Sequence, residues 1–288
     1  MSSGGDVLFG GTSVRDALDG AITAIGAAGC ESPRLDAELL LAHVLGVSRA
    51  RLLIDREDLV VDGPAVRAFQ NAVRRRAVER EPVAYIVGHR GFRRLDLAVD
   101  RRALVPRPET ELLVEVGLGL PRGARVLDVG TGSGAVALAL KDERPDLLVT
   151  GSDLSEDALE LARVNGERLG LEVVWLRADL LAGVDDAFDA ILSNPPYVAE
   201  SERWSLAPEI LRHEPAEALF SGPDGLTAIR ALLAQVAARE RVEMVALEVG
   251  AGQAPAVMEL ARAAGFPAVR AERDLAGIER VVVGERGA

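Results

Sequence analysis

Val126-Leu127-Asp128-Val129-Gly130-Thr131-Gly132-Ser133-Gly134 reads as a short apolar strand that runs into a glycine-rich turn and then a helix. The glycines let a ligand approach the backbone closely, and the helix N-terminus offers free N–H groups. A dinucleotide site calls for G-x-G-x-x-G, whereas this is Asp-x-Gly-x-Gly-x-Gly, with a carboxylate ahead of the first glycine. That carboxylate repels a pyrophosphate and attracts a ligand bearing an ammonium or sulfonium group. A purely structural glycine turn is the competing reading.

Outward from this stretch, apolar strands alternate with helical patterns to the end of the chain. Strands are predicted over 126–129, 147–152, 173–177, 187–193, 242–249 and 268–271, with a last one at 280–283. Helices are predicted to begin near Ser133, Ser155, Gly225 and Pro255. Such alternation requires right-handed crossovers and a mostly parallel sheet covered on both faces, a Rossmann-like α/β fold. Ligands bind such sheets outside the carboxyl ends of the strands.

Those ends carry the polar residues. The second strand closes on Gly151-Ser152-Asp153, followed by Leu154, and an acid at this distance beyond a glycine loop can accept hydrogen bonds from both ribose hydroxyls. The third closes on Arg177-Ala178-Asp179-Leu180, where Asp179 can accept from an adenine amino group while Leu180 packs on the ring. A single Asp after a strand is most often a cap or turn residue. Three in succession beside a glycine loop describe a pocket for an adenosine that carries a positive charge and no phosphates, which is S-adenosylmethionine. The fourth strand delivers Ser193-Asn194-Pro195-Pro196-Tyr197. Proline fixes its own φ and restricts the residue before it, so Asn194 and Pro195 are held extended.

This arrangement resembles the class I methyltransferases, and Asn194-Pro195-Pro196-Tyr197 is similar to the signature of members that methylate a planar amide or amino nitrogen. The Asn194 side-chain oxygen and the Pro195 carbonyl would each accept one hydrogen of that nitrogen, enriching its lone pair and aiming it at the methyl donor. Tyr197 would stack on the substrate plane. Beyond these motifs, several segments resemble the release-factor glutamine methyltransferases: Pro82, Tyr85, Gly88 and Phe92; Val105-Pro106-Arg107-Pro108-Glu109-Thr110-Glu111; Glu214-Pro215-Ala216-Glu217-Ala218-Leu219; Leu247-Glu248-Val249-Gly250 with Gln253; and Asp274-Leu275-Ala276-Gly277 with Arg280.

The resemblance implies methylation of the side-chain amide nitrogen (N5) of the glutamine in the Gly-Gly-Gln motif of peptide chain release factors, with S-adenosyl-L-homocysteine as product. It implies a cofactor site from Asp128, Gly130, Thr131, Gly132, Gly134, Asp153, Leu154, Asp179, Leu180 and Asn194. It also implies that Asn194, Pro195, Pro196 and Tyr197 do the chemistry, with Arg107 and Thr110 on the cofactor or substrate side. Thr110 reads equally as a first-turn residue, and Glu248 as half of a structural ion pair.

The 288 residues suffice for one large domain or two modest ones. The expected division is a helical substrate-recognition domain over 1–80, a hairpin linker over 81–107 and a methyltransferase domain over 108–288. In the first, Ser13 or Thr12 caps a helix with Val14, Leu18, Ile22 and Ile25 on one face. Ser32-Pro33 opens a second helix that Gly46 closes, and a third spans about 64–78. Arg74-Arg75-Arg76 with Arg80 reads as a solvated helix face. A net charge of -12 opposes stable binding to a nucleic-acid duplex. One cysteine, Cys30, and three scattered histidines point away from disulfides and metal sites. Without a leader-like N-terminus or an apolar run of roughly 18 residues, a cytoplasmic protein without membrane association is expected, and a monomer.

Three other activities compete: a glutamine methyltransferase acting on a ribosomal protein, an adenine-N6 methyltransferase acting on DNA or RNA, and a cofactor-binding scaffold without chemistry. An adenine amino group presents the same two hydrogens to Asn194 and Pro195, so the tetrapeptide does not separate amide from adenine. The Pro106–Glu111 segment does.

Overall fold

A computed structural model describes residues 12–54, 60–185 and 188–287. The chain forms two compact units. One takes the described residues up to Gly88 together with Pro208–His213, and the other takes His89–Ala207 and the chain from Glu214 on.

The first unit is built on helices α1 (Val14–Ala27), α2 (Pro33–Leu45), α3 (Arg49–Ile54), α4 (Gly63–Ala77) and α5 (Val83–Val87), with α9 (Pro208–His213) added from far along the chain. Ser13 caps α1 as expected, its Oγ accepting from the Asp16 N–H at 3.1 Å. Pro33 opens α2, although Ser32 makes no side-chain cap bond, and Gly46 closes it at φ +65°. A two-residue ladder pairs β1 (Thr12–Ser13) with β2 (Val60–Val61). Val14, Ile25, Leu40, Leu41 and Leu52 are fully enclosed in this unit's core, and Cys30 is buried beside them.

Only part of the arginine run is a solvated face: Arg74 is exposed, but its neighbours are not. Arg76 is buried, with Nε donating to Asp36 Oδ2 at 2.6 Å and Nη2 to Glu209 Oε1 at 3.1 Å. Arg75 pairs with Glu81, and Arg80 with Glu209 and the Ala28 carbonyl. The carboxylates come from α2 and α9, 40 and 133 positions from Arg76, so no local pattern could reveal them.

The second unit opens on a hairpin, β3 (His89–Phe92) with β4 (Leu95–Ala98). The stretch expected as a hairpin linker begins with the helical turn α5, for which Pro82 is the N-cap. Arg93 holds the hairpin's tip at φ +51°, anchored by a two-pronged pair with Glu143.

The main sheet contains β5 (Arg125–Val129), β6 (Leu148–Asp153), β7 (Val174–Arg177), β8 (Ala190–Ser193), β9 (Met244–Glu248), β10 (Ala268–Arg273) and β11 (Glu279–Glu285). Their order is β10-β11-β9-β8-β5-β6-β7, with β11 antiparallel to both neighbours and the other pairings parallel. This is the predicted α/β class; Ala187, the predicted start of the fourth strand, lies outside the described residues. β8 and β9 are buried at every position, as strands covered on both faces must be. Helices α6 (Glu111–Leu118), α7 (Ala135–Glu143), α8 (Glu156–Leu169), α10 (Thr227–Ala237) and α11 (Ala254–Ala263) provide the cover. The chain moves outward through β5, β6 and β7, then returns to lay β8 on the other side of β5. That reversal makes a crevice above the carboxyl ends of β5 and β8.

The half-buried Trp175 lies on a floor of glycines. A Cβ on Gly151 would sit 2.5 Å from Trp175 Cζ3 and 2.9 Å from Thr131 Oγ1, and one on Gly134 would sit 3.0 Å from Trp175 Cη2. Gly151→Ala should therefore displace both the indole and the glycine loop. A loss of about 1–3 kcal/mol in denaturant unfolding is expected, the usual cost of overpacking, and an unchanged midpoint would contradict the packing described.

Candidate functional site

Three left-handed glycines shape the turn after β5: Gly130 at φ +71°, Gly132 at +57° and Gly134 at +83°. Only glycine adopts this conformation routinely, which accounts for the alternate-residue spacing. Four of the turn's N–H groups are already taken up by the protein itself. The Gly130 and Thr131 N–H groups both donate to the Ser152 carbonyl (2.8 and 2.9 Å), Gly132 N–H to Asp153 Oδ2 (2.9 Å) and Gly134 N–H to the Thr131 carbonyl (2.9 Å). The loop is thus a fitted backbone surface rather than a phosphate cradle.

Asp128 ties that surface together. Its Oδ2 accepts from the Thr131 hydroxyl at 2.6 Å and from the Ala137 N–H, in the first turn of α7, at 3.2 Å. Only 2% exposed, the carboxyl is pushed up to about 7 by burial, with the Asp153 charge adding to the shift and the two donors opposing it. Asp153 is itself raised, chiefly by burial, although it accepts from Gly132 and, through Oδ1, from Ser155 N–H at 2.9 Å.

A cavity of about 660 Å³ lies over these strand ends. Its walls bring together Arg107, Thr110, Asp128, Gly130, Thr131, Gly132, Asp153, Leu154, Asp179, Leu180, Asn194, Pro195 and Pro196. Two candidates stand outside it. Gly134 is buried against Leu138, Ala162 and Trp175, so its part is in packing. Tyr197 turns its hydroxyl to Glu248 Oε1 (3.3 Å), while its carbonyl accepts from Gln253 Nε2 (2.9 Å). Leu180 is half-buried at φ +53°, a strained setting for a leucine that, like many such outliers, sits at a ligand-sized cavity.

Two acids to which the sequence reading gives no role bear on the site. Glu217 faces the cavity, and its charge bears on Asp153. Buried Glu214 binds Arg107 Nη2 at 2.6 Å and accepts from the Val105 N–H. The available signal was an acid at 214 and at 217 in an otherwise apolar stretch. The expected ion pair of Glu248 is not formed: among the described residues its hydrogen bond comes from the Tyr197 hydroxyl, while Arg280 binds Asp274 at 2.9 Å.

The electrostatics select the ligand. Asp128, Asp153, Asp179 and Glu217 line the cavity against two guanidinium groups, Arg102 and Arg107, and those are occupied by Asp100 and Glu214. This suits a cation and rejects a polyphosphate. Among the described residues no group of side chains could hold a metal ion, and no helix is long and apolar enough to cross a membrane.

A reversing parallel sheet with an antiparallel penultimate strand, and an acidic cavity at the reversal, define a class I methyltransferase. A methyltransferase of Pyrococcus furiosus shares the fold, with a TM-score of 0.52 at 21% identity over 67% of this chain and 90% of that one. The profile described as PrmC N-terminal domain matches residues 16–88, and the one described as methyltransferase small domain matches residues 108–257. The release factor glutamine methyltransferase of Rhodospirillum rubrum is 42% identical over 266 residues, covering 91% of this chain and 81% of its own. That of Deinococcus radiodurans is 41% identical, covering 95% and 98%. The chain belongs to the release factor glutamine methyltransferase family.

The raised carboxyl of Asp128 makes opposite demands on stability and binding. Its folded value lies above its unfolded one, so the stabilisation from holding a proton is complete below about pH 4 and is lost as pH rises through about 7. Attraction for a cation instead needs the ionised form. Asp128→Asn should raise the melting temperature of the ligand-free protein at pH 8, by about 2–4 °C for each kcal/mol recovered. Calorimetric affinity for S-adenosyl-L-homocysteine, whose ammonium is cationic, should fall about tenfold or more at that pH, equivalent to about 1.4 kcal/mol. Unchanged affinity would show that the Asp128 charge does not act on that ligand.

Proposed function

We propose that this methyltransferase transfers a methyl group from S-adenosylmethionine to the side-chain amide nitrogen of the glutamine in the Gly-Gly-Gln motif of peptide chain release factors. One observation carries the reading. Asn194 lines the same cavity as the four carboxylates, its Nδ2 donates to Thr110 Oγ1 at 3.1 Å, and its Oδ1 accepts no hydrogen bond among the described residues. An unspent amide oxygen beside a cation-selective cavity is what an NH2-bearing acceptor needs.

The cofactor, when bound, supplies an electrophilic methyl on sulfonium. Asp128, Asp153, Asp179 and Leu180 with the backbone of Gly130–Gly132 would hold it, the acids matching its positive charge and its hydroxyl and amino donors. The work of the chain is then to prepare the nitrogen. An amide lone pair is delocalised, and two acceptors on its hydrogens, Asn194 Oδ1 and the Pro195 carbonyl, return electron density to it and fix its plane. Pro195 and Pro196 make those acceptors rigid, so little reorganisation is needed at the moment of transfer. The proton leaves after transfer, so no base has to act first. In this reading Tyr197 borders the acceptor, and the helical segment over 1–80 recognises the release factor.

The names of the relatives support an amide acceptor over an adenine, and the net charge of -12 argues the same way. Incubation with labelled cofactor, a release factor, ribosomal proteins and duplex DNA should place the label on the glutamine of the Gly-Gly-Gln peptide by mass spectrometry. Label on DNA with none on protein would reverse the assignment. Asn194→Ala should lower kcat by about 100-fold or more, the range seen when a preorganised acceptor or donor is removed, while cofactor affinity stays within threefold. A loss of affinity as large as that of Asp153→Ala would instead put Asn194 in the cofactor site.

A further inference from the structure

One buried acid beside the cavity is unused by this scheme. Glu248, at the end of β9, is 1% exposed, and its Oε2 has no hydrogen-bond partner. Its contacts run to the acceptor side of the site. The Tyr197 hydroxyl donates to Oε1 at 3.3 Å, and the Thr110 side chain is close enough to favour the ionised form of the same carboxyl. Thr110 Oγ1 in turn accepts from Asn194 Nδ2.

We infer that Glu248 is a positioning residue for methyl transfer, orienting the Asn194 amide through Thr110 and holding Tyr197 directly. The inference rests on the acceptor role proposed for Asn194. Its physical basis is a count of protons. An ionised carboxylate only accepts hydrogen bonds, so in a Thr110–Glu248 pair it is Thr110 that gives its single hydroxyl proton. The Thr110 oxygen is then left to accept, and Asn194 must offer it Nδ2. The amide oxygen is thereby kept for the substrate. If Thr110 can instead turn its proton toward Asn194, the amide is free to rotate and to confront the substrate NH2 with an NH2 of its own.

The same count predicts a pH dependence. A protonated Glu248 can donate to Thr110 and release the constraint. The groups facing it are Glu109 and Thr110 ahead of α6, Tyr197 after β8, and Arg280 of β11. Burial, with the Glu109 charge in support, pushes Glu248 up to about 7 against the two hydroxyls and Arg280. Transfer should therefore weaken as pH falls through about 7.

The test compares wild type, Glu248→Gln, Thr110→Val and Thr110→Ser in methylation of a release factor. Glu248→Gln and Thr110→Val should each lower kcat about tenfold or more with both KM values within twofold, and the double variant should be no worse than the poorer single one. Thr110→Ser, which keeps the hydroxyl, should restore most of the rate. The acid limb of the wild-type kcat profile near pH 7 should vanish in Glu248→Gln. A second readout needs no turnover. The chain has two tyrosines, so in a Tyr85→Phe background only Tyr197 titrates. Burial and the Glu248 charge hold its hydroxyl well above the ordinary value of about 10. Ultraviolet absorbance up to about pH 11 should show no ionisation in that background and the onset of ionisation once Glu248→Gln is added. Wild-type kcat in Thr110→Val, or a tyrosine titration unmoved by Glu248→Gln, would overturn the inference. Failure of the wild type to methylate any glutamine would instead remove the proposed function, and the role in transfer with it.

Discussion

The second unit depends on a carboxylate kept in the wrong medium. Asp128 is enclosed where an ion is poorly solvated, and it is tolerated because a hydroxyl and a helical N–H donate to it. Those bonds join the end of β5, the glycine loop and the first turn of α7 into one rigid corner. Asp153 makes the neighbouring joint, taking the Gly132 N–H and the Ser155 N–H at once. The same acids line the cavity, so the groups that give the corner its shape also give it its charge. A hydrophobic replacement of Asp128 would remove the burial penalty together with part of the charge that attracts a cation.

The opposite wall is made rigid by other means. Asn194 and Pro195 are each restricted toward extended backbone because proline follows each of them. Beyond them Gly225, at φ +77°, sits so close that a Cβ there would be 2.1 Å from the Tyr197 carbonyl oxygen. That carbonyl is also held by Gln253. The loop is therefore set by covalent restriction on one side and close packing on the other, with Thr110 and Glu248 fixing its side chains. Rigidity of this kind has value where two acceptors must meet a weakly nucleophilic nitrogen at one angle.

The first unit uses charge differently. Arg76 is buried between Asp36 and Glu209, and Glu209 arrives on a six-residue helix that the chain contributes 120 residues after Gly88 leaves the unit. A buried ion pair of this sort adds little net stability, because desolvation offsets attraction, but it strongly penalises any arrangement that leaves one partner alone. It can thereby specify where Pro208–His213 belongs.

Much of this was legible in the sequence because it rests on local geometry or on periodicity. Alternating strand and helix patterns require a parallel sheet, and Asp128-x-Gly-x-Gly-x-Gly with acids at the next two strand ends places an acidic pocket there without reference to coordinates. The glycine spacing follows from φ alone, and the proline restriction at Asn194 from covalent structure. What only the tertiary structure decided are pairings between residues far apart in the chain. Tyr197 reads as a stacking ring, and the structure adds that its hydroxyl is tied to Glu248; Glu248 looked like half of an ion pair and takes that hydroxyl instead. Arg76 looked solvated and proved to be buried, and Glu214 and Glu217 had no assigned place. Periodicity reports which face of an element is buried, whereas the partner of a buried polar group depends on which distant element packs against that face.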